Sequence, residues 1–314
     1  MKLAFVFPGQ GSQSVGMLDA WSAHPEVADL IAQACAALNT DLATLIAQGP
    51  AEQLNLTTNT QPVMLAAGLA VYQAWLTAGG PKPSVMAGHS LGEYAALTAA
   101  GCFTLADAVR VVRIRADAMQ AAVPVGTGAM AAVLGLDDEA VRVACASVAE
   151  GEVVEAVNYN APAQVVIAGH ATAVQRAMAA AKAAGAKRAV QLPVSAPFHS
   201  SLLKPAADVL QNALAKLNML EPQIPVLNNV DVAQPQDPAA IRDALVRQAW
   251  HPVRWVEIIQ NMKAQGVTHI VECGPGKVLT GLVKRIEPDI AAFAVTDPES
   301  MQLALQALAQ ASAD

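Results

Sequence analysis

Aromatic residues are scarce in this 314-residue chain: Phe, Trp and Tyr make up 4% of it, although 54% is apolar. Its core must therefore be filled by alanine, valine and leucine, with rings only at selected points. Charge is sparse too, at 14% Asp, Glu, Lys and Arg. That combination excludes disorder, which goes with low hydrophobicity and high net charge. The net charge of −7 argues against broad nucleic-acid binding, so any basic contact must be a local patch. Cysteine is limited to Cys35, Cys102, Cys145 and Cys273. Without a C-x-x-C pair there is no zinc-ligand spacing and no dithiol redox motif, and buried free thiols in a reducing cytoplasm are the expectation. No run approaches the apolar length of a bilayer span, so no membrane is expected. Residues 1–8 lack the length and cleavage site of a secretory signal. Neither a metal nor a cofactor is expected.

Strand-like and helix-like runs alternate, which points to an α/β architecture. Core strands are expected at 3–7, 84–87, 225–227, 269–272 and 291–295. Several are solid apolar runs, as in parallel strands covered on both faces. Helices are expected at 106–122, 202–217, 238–249, 253–265 and 301–311. The middle of the chain reads differently. Strands at 129–134, 153–158, 164–168 and 188–192, with helices at 137–149 and 171–184, give the order β-α-β-β-α-β of a ferredoxin-like unit. A small domain over 126–197 is thus inserted into a large one made of 1–125 and 198–314, with a cleft between them as the natural ligand site.

The most informative stretch is Gly88-His89-Ser90-Leu91-Gly92-Glu93. It stands between an apolar strand and a helix-forming run, the setting in which Gly-x-Ser-x-Gly makes a nucleophile elbow. The glycines allow a turn too tight for a Cβ atom. The helix behind it offers unpaired N–H groups to a developing oxyanion. The same residues also fit a capping box, S-x-x-E, which needs no catalysis.

A serine nucleophile needs a base, and there are six histidines. His24 reads as a surface residue, His170 as a cap and His269 as structural; His251 lies in a loop; His89 would point away from Ser90 across the turn. His199 follows Pro193 and Pro197 on the segment that leaves the small domain, and can be aimed across the cleft at Ser90. Arg115 is an independent signal. Its helical neighbours at ±3 and ±4 are Val111, Val112, Ala118 and Met119, so it faces the core, whereas Arg113 pairs with Asp117 in solvent. A buried guanidinium requires an anion, either a structural carboxylate or that of a substrate. The loop Phe7-Pro8-Gly9-Gln10-Gly11 follows the first strand and can border the site, where the amide of Gln10 can donate. It lacks the endings of a P-loop or a dinucleotide fingerprint. Cys273-Gly274-Pro275-Gly276-Lys277 reads mostly as a turn.

Together these pieces resemble the malonyl-CoA:acyl-carrier-protein transacylases of type II fatty acid synthesis. The resemblance covers 7–13, 88–97, 110–120, 126–135, 164–170, 185–188, 228–231, 241–248 and 274–282, nearly the whole chain. It implies a hydrolase-like α/β domain, its sheet mostly parallel, with a ferredoxin-like insertion. It implies that Ser90 attacks the thioester of malonyl-CoA, that His199 is its base, that the N–H groups of Gln10 and Leu91 hold the oxyanion, and that Arg115 pairs with the malonyl carboxylate. It implies that Gln248 orients His199 through its main-chain carbonyl, in place of a third acidic residue. The partners implied are malonyl-CoA and acyl-carrier protein. For the acidic carrier, Lys182, Lys187, Arg188, Lys277, Lys284 and Arg285 are the candidate docking charges. The main alternative is a serine esterase or thioesterase, with Asp107, Asp117, Asp137 or Asp138 between Ser90 and His199; a non-catalytic carrier-binding module is the other.

Overall fold

The computed structural model describes residues 1–194 and 196–313; Ser195, in the segment expected to close the small domain, and Asp314 lie outside the described residues. The strands among them are, in chain order, β1 (Leu3–Phe7), β2 (Val85–Gly88), β3 (Gly128–Leu134), β4 (Val154–Ala161), β5 (Gln164–His170), β6 (Arg188–Gln191), β7 (Val226–Leu227), β8 (His269–Cys273) and β9 (Ala291–Val295). The larger sheet has the order β7-β2-β1-β8-β9, and every pair is parallel. The chain moves outward from β1 to β2 on one side and to β8 on the other. The loops after β1 and β2 therefore meet at a switch point, where α/β sheets build their sites.

Alternation along β1 explains how so few rings suffice. Phe5 and Phe7 face one side, where Phe5 meets Tyr72 and Trp75 edge-on at centroid distances of 5.5 and 5.3 Å. Ala4 and Val6 face the other side, with Val85, Ala87, Trp255 and Ile258. A period of two thus sorts bulky and small residues onto opposite faces of the sheet. Tyr72 and Trp75 belong to the helix Thr57–Thr77, which the sequence pattern leaves unassigned. That helix is buried nearly all round, so it carries no amphipathic stripe to betray it.

The second sheet is antiparallel in the order β4-β5-β3-β6, the ferredoxin-like arrangement. Helices Asp138–Ser147 and Ala171–Ala183 cover one face with valine, alanine and isoleucine contacts. On the opposite face Met130, Val157, Val166 and Ala168 pack with Leu192, Val194 and Phe198. The edge of β4 is stitched to the larger unit by main-chain bonds: Tyr159 N–H donates to Val253 C=O at 3.0 Å, and Val253 N–H to Val157 C=O at 2.9 Å.

Among the element boundaries that differ from the expectation, two have clear local reasons. The helix expected at 253–265 starts at Trp255, because Val253 is engaged by β4. The helix expected at 202–217 is a 3₁₀ turn, Ser201–Leu203, followed by Lys204–Leu214, with proline in the first turn of the α-helix. Elsewhere the caps are ordinary. Thr104 accepts from Asp107 N–H ahead of Leu105–Ala121, and Asp237 from Ala240 N–H ahead of Pro238–Gln248. These two helices carry Arg115 and Gln248. Among the described residues no helix is long and apolar enough to cross a membrane.

Candidate active site

The turn after β2 is shaped by what it cannot hold. A Cβ on Gly88 would lie 1.8 Å from the carbonyl carbon of Gly92, and one on Gly92 would lie 2.1 Å from the oxygen of Phe7. Between them Ser90 adopts φ +53°, a left-handed backbone that lifts its side chain off the strand end. The capping-box alternative is not what forms. The helix Gly92–Ala99 has Leu91 as its N-cap with no side-chain cap, and Glu93 turns inward to other partners.

Ser90 Oγ lies 2.7 Å from His199 Nε2, and His199 Nδ1 lies 2.9 Å from the main-chain oxygen of Gln248. A carbonyl only accepts, so Nδ1 carries the proton and Nε2 is left to accept the serine hydroxyl. His199 is buried, at φ +66°. Burial, then the Arg115 cation beside it, pushes its imidazole down to about 3, so it is neutral at physiological pH.

Arg115 is 2% exposed. Its Nη2 donates to Ser90 Oγ at 3.1 Å and to Gln248 Oε1 at 3.0 Å, and its Nη1 to Gln61 Oε1 at 2.7 Å. Its Nε is buried without a partner, and the ring of Tyr94 lies 5.4 Å from its guanidinium carbon. All the hydrogen-bond acceptors of this cation are neutral. Of the two anions the sequence leaves open, a structural carboxylate is present only at a remove: Glu93 acts on Arg115 through space and through the Gln248 amide, and among the described residues no carboxylate forms a direct ion pair with it. The guanidinium therefore stands beside the serine without a direct ion pair, the acid Glu93 being one amide away through Gln248.

The N–H groups of Gln10 and Leu91 have no acceptor among the described residues, and both residues line the cleft with Ser90. The Gln10 side chain is anchored by Thr57, whose hydroxyl donates to Oε1 at 2.9 Å. The cleft has a volume of about 180 Å³ and is walled by Met119 from the large sheet's side and by Met130, Val166, Val194 and Phe198 from the small sheet's. Such a space takes a short acyl group beside a cation, a hydroxyl and two free amides.

Other residues fall into supporting positions. His89 does turn away from Ser90, and its Nε2 meets Asn160 Oδ1 at 2.8 Å. His170 stands at an N-cap but its ring caps nothing; Nδ1 accepts from Val153 N–H at 2.9 Å. His269 bonds Thr268 and stacks on Phe293, and His251 Nδ1 meets Arg247 C=O at 3.0 Å. Arg113 lies 3.8 Å from Asp117. The loop 273–277 precedes a helix, Val278–Ile286, whose first amides are already taken by the buried Glu272 carboxylate, with Leu279 N–H at 3.1 Å and Thr280 N–H at 2.7 Å. Among the described residues no cluster suits a metal ion.

Sequence reasoning missed Gln61, Asn229 and Glu93. Gln61 closes the polar stretch Thr57-Thr58-Asn59-Thr60, where nothing sets it apart, and Asn229 sits in a stretch that carried the resemblance without a role of its own. Glu93 was assigned only to a cap.

An all-parallel sheet with a serine on a left-handed turn, facing a histidine, defines the α/β acyl-transfer class, and the acyl transferase domain family matches residues 4–295. The malonyl CoA-acyl carrier protein transacylase of Escherichia coli strain K12 is 56% identical over 306 residues, covering 97% of this chain and 99% of its own. The crystal structure of acyl-carrier-protein S-malonyltransferase from Burkholderia pseudomallei 1710b is 60% identical, with a TM-score of 0.96 over 98% of this chain and 100% of that one. A type II PKS acyl-carrier protein in complex with its malonyl-transacylase matches through a chain 51% identical, at a TM-score of 0.97, again over 98% and 100%. The chain belongs to the malonyl CoA-acyl carrier protein transacylases.

Proposed function

We propose that this protein moves the malonyl group from malonyl-CoA to the phosphopantetheine thiol of acyl-carrier protein, through an ester on Ser90. His199 Nε2 takes the hydroxyl proton as Ser90 Oγ attacks the thioester carbonyl. The oxyanion that forms is held by the N–H groups of Gln10 and Leu91. Collapse expels the CoA thiolate, which receives the proton from His199. The carrier thiol then repeats the sequence in reverse, giving malonyl-carrier and free Ser90. The carbonyl of Gln248 keeps His199 in the tautomer that both halves need.

The observation that carries this reading is the buried guanidinium of Arg115, 3.1 Å from the serine oxygen and without a direct ion pair among the described residues. An acyl group with a terminal carboxylate satisfies it; an acetyl group does not. The test is mass spectrometry after mixing with malonyl-CoA, then addition of carrier protein. A persistent malonyl adduct on Ser90, discharged only by the carrier, is expected. Rapid release of free malonate identifies a hydrolase instead.

The division into 1–125 with 198–314 and 126–197 belongs to the same reading, since the two sheets meet over the cleft. So does a cytoplasmic location, supported by four cysteines that are all free thiols. For the carrier we favour the exposed lysines of the candidate patch. Arg285 is already engaged by Gln164 and by the carbonyl of Pro162, whereas Lys277 and Lys284 border one groove with Phe293. Lys277→Glu and Lys284→Glu are expected to raise the KM for carrier protein and leave malonyl-CoA loading unchanged. Equal loss of loading overturns the docking role.

A further inference from the structure

A residue with a side chain holds a left-handed backbone only where its surroundings fix it, and Ser90 does so at φ +53°. Both of its main-chain polar groups are gripped by side chains. Ser90 N–H donates to Asn229 Oδ1 at 2.7 Å, and Ser90 C=O accepts from Gln248 Nε2 at 2.9 Å. The two gripping residues share one further partner. Asn229 N–H donates to Glu93 Oε2 at 2.8 Å, and Gln248 Nε2 donates to the same oxygen at 2.9 Å. Ser90, Asn229, Glu93 and Gln248 thus close a ring, and Asn229 Nδ2 braces it by donating to Gly88 C=O at 2.8 Å. Its three supporting residues come from three separate elements: the helix behind the elbow, the segment after β7, and the end of Pro238–Gln248.

The ring also settles which way the Gln248 amide faces. With Nε2 held by two oxygens, Oε1 must point at Arg115 Nη2, 3.0 Å away. Glu93 is 2% exposed, and burial raises its carboxyl to about 7. An apolar side chain of similar volume is generally a more stable filling for such a place, so packing alone does not account for an acid there.

We propose that Glu93 is a positioning residue: its carboxylate is the hub that fixes, at once, the backbone of Ser90 and the amide of Gln248 that seats Arg115, without touching substrate. The proposal rests on Ser90 being the nucleophile. The test reads the nucleophile directly, by the rate at which phenylmethanesulfonyl fluoride labels Ser90, alongside the kcat and KM of malonyl-CoA loading. Glu93→Gln keeps an oxygen able to accept both bonds, and is expected to label within about threefold of the wild-type rate. Glu93→Leu, and Asn229→Ala, which leaves the acid in place, are expected to slow labelling and kcat at least tenfold with little change in KM. Thermal melts identify the folded variants; if Glu93→Leu does not fold, Asn229→Ala and Glu93→Gln carry the comparison. Wild-type labelling rates in folded Glu93→Leu or Asn229→Ala, or a Glu93→Gln variant as slow as Asn229→Ala, overturn the hub. Absence of labelling in the wild-type chain overturns the nucleophile reading itself, and the hub with it.

Discussion

Arg115→Ala is expected to lower kcat/KM for malonyl transfer by two to three orders of magnitude while acetyl transfer stays at or above its wild-type rate. Stranding one member of a buried ion pair costs about 3–5 kcal/mol. At about 1.4 kcal/mol per tenfold, this places the loss near a thousandfold. A malonyl carboxylate is stranded in this way once the guanidinium is gone. Acetyl-CoA has no carboxylate to strand. It also gains from the change, because Arg115 is one of the causes that depress the His199 imidazole, after burial. Removing the cation makes the base stronger and frees the space beside Ser90. Parallel assays with malonyl-CoA and acetyl-CoA check this. Equal losses for the two donors sink the carboxylate role and leave Arg115 as a structural cation.

His199→Ala is expected to cost a factor of about 10² to 10⁴ in kcat for loading, the range a positioned general base supplies, with the KM for malonyl-CoA little changed. The pH profile gives a second, independent check. In the proposed mechanism His199 works as the neutral base, so its contribution is present above its pKa in the folded enzyme and is lost as pH falls through it. That value is pushed down to about 3, well below the ordinary 6.5. Loading therefore shows no fall near pH 6.5 from this residue. The measurement belongs in Glu93→Gln, where the buried carboxyl that is raised to about 7 no longer titrates. A flat rate from pH 8 to pH 5 is the expected result. A limb at 6.5 that disappears in His199→Ala shows an imidazole in contact with water, contrary to the buried tautomer described above. Adding Arg115→Ala moves the His199 limb upward, toward 6.5, since one of the effects holding it down is gone.

Much of the fold was legible because its signals are local. Most strands of the large sheet are short apolar runs, β8 with its Glu272 being the exception, and β1 and β9 fall on the expected residues, 3–7 and 291–295. The alternation of the middle segment gave its β-α-β-β-α-β order. The helix Thr57–Thr77 escaped for a physical reason: a helix buried on all sides has no period to read. The site divides the same way. Ser90 announced itself through glycines that the turn requires, and Arg115 through a charge on an apolar helix face. The amide of Gln10 was read from the glycine-rich loop after β1, whereas Leu91 and Gln248 were named only from the family resemblance, because the part proposed for them is played by main-chain groups that any residue supplies. Asn229 and Glu93 went unread because their bonds span 136 to 139 positions of chain, a pairing that neither spacing nor propensity encodes.

The stitching of β4 to Val253 bears on how acyl groups are told apart. Two main-chain bonds, 3.0 and 2.9 Å long, join the edge strand of one sheet to the segment that follows Gln248. Such bonds tie the small sheet's edge to the wall that carries Gln248. With a chamber of about 180 Å³ lined by Arg115, size and charge are the terms on which acyl groups are told apart.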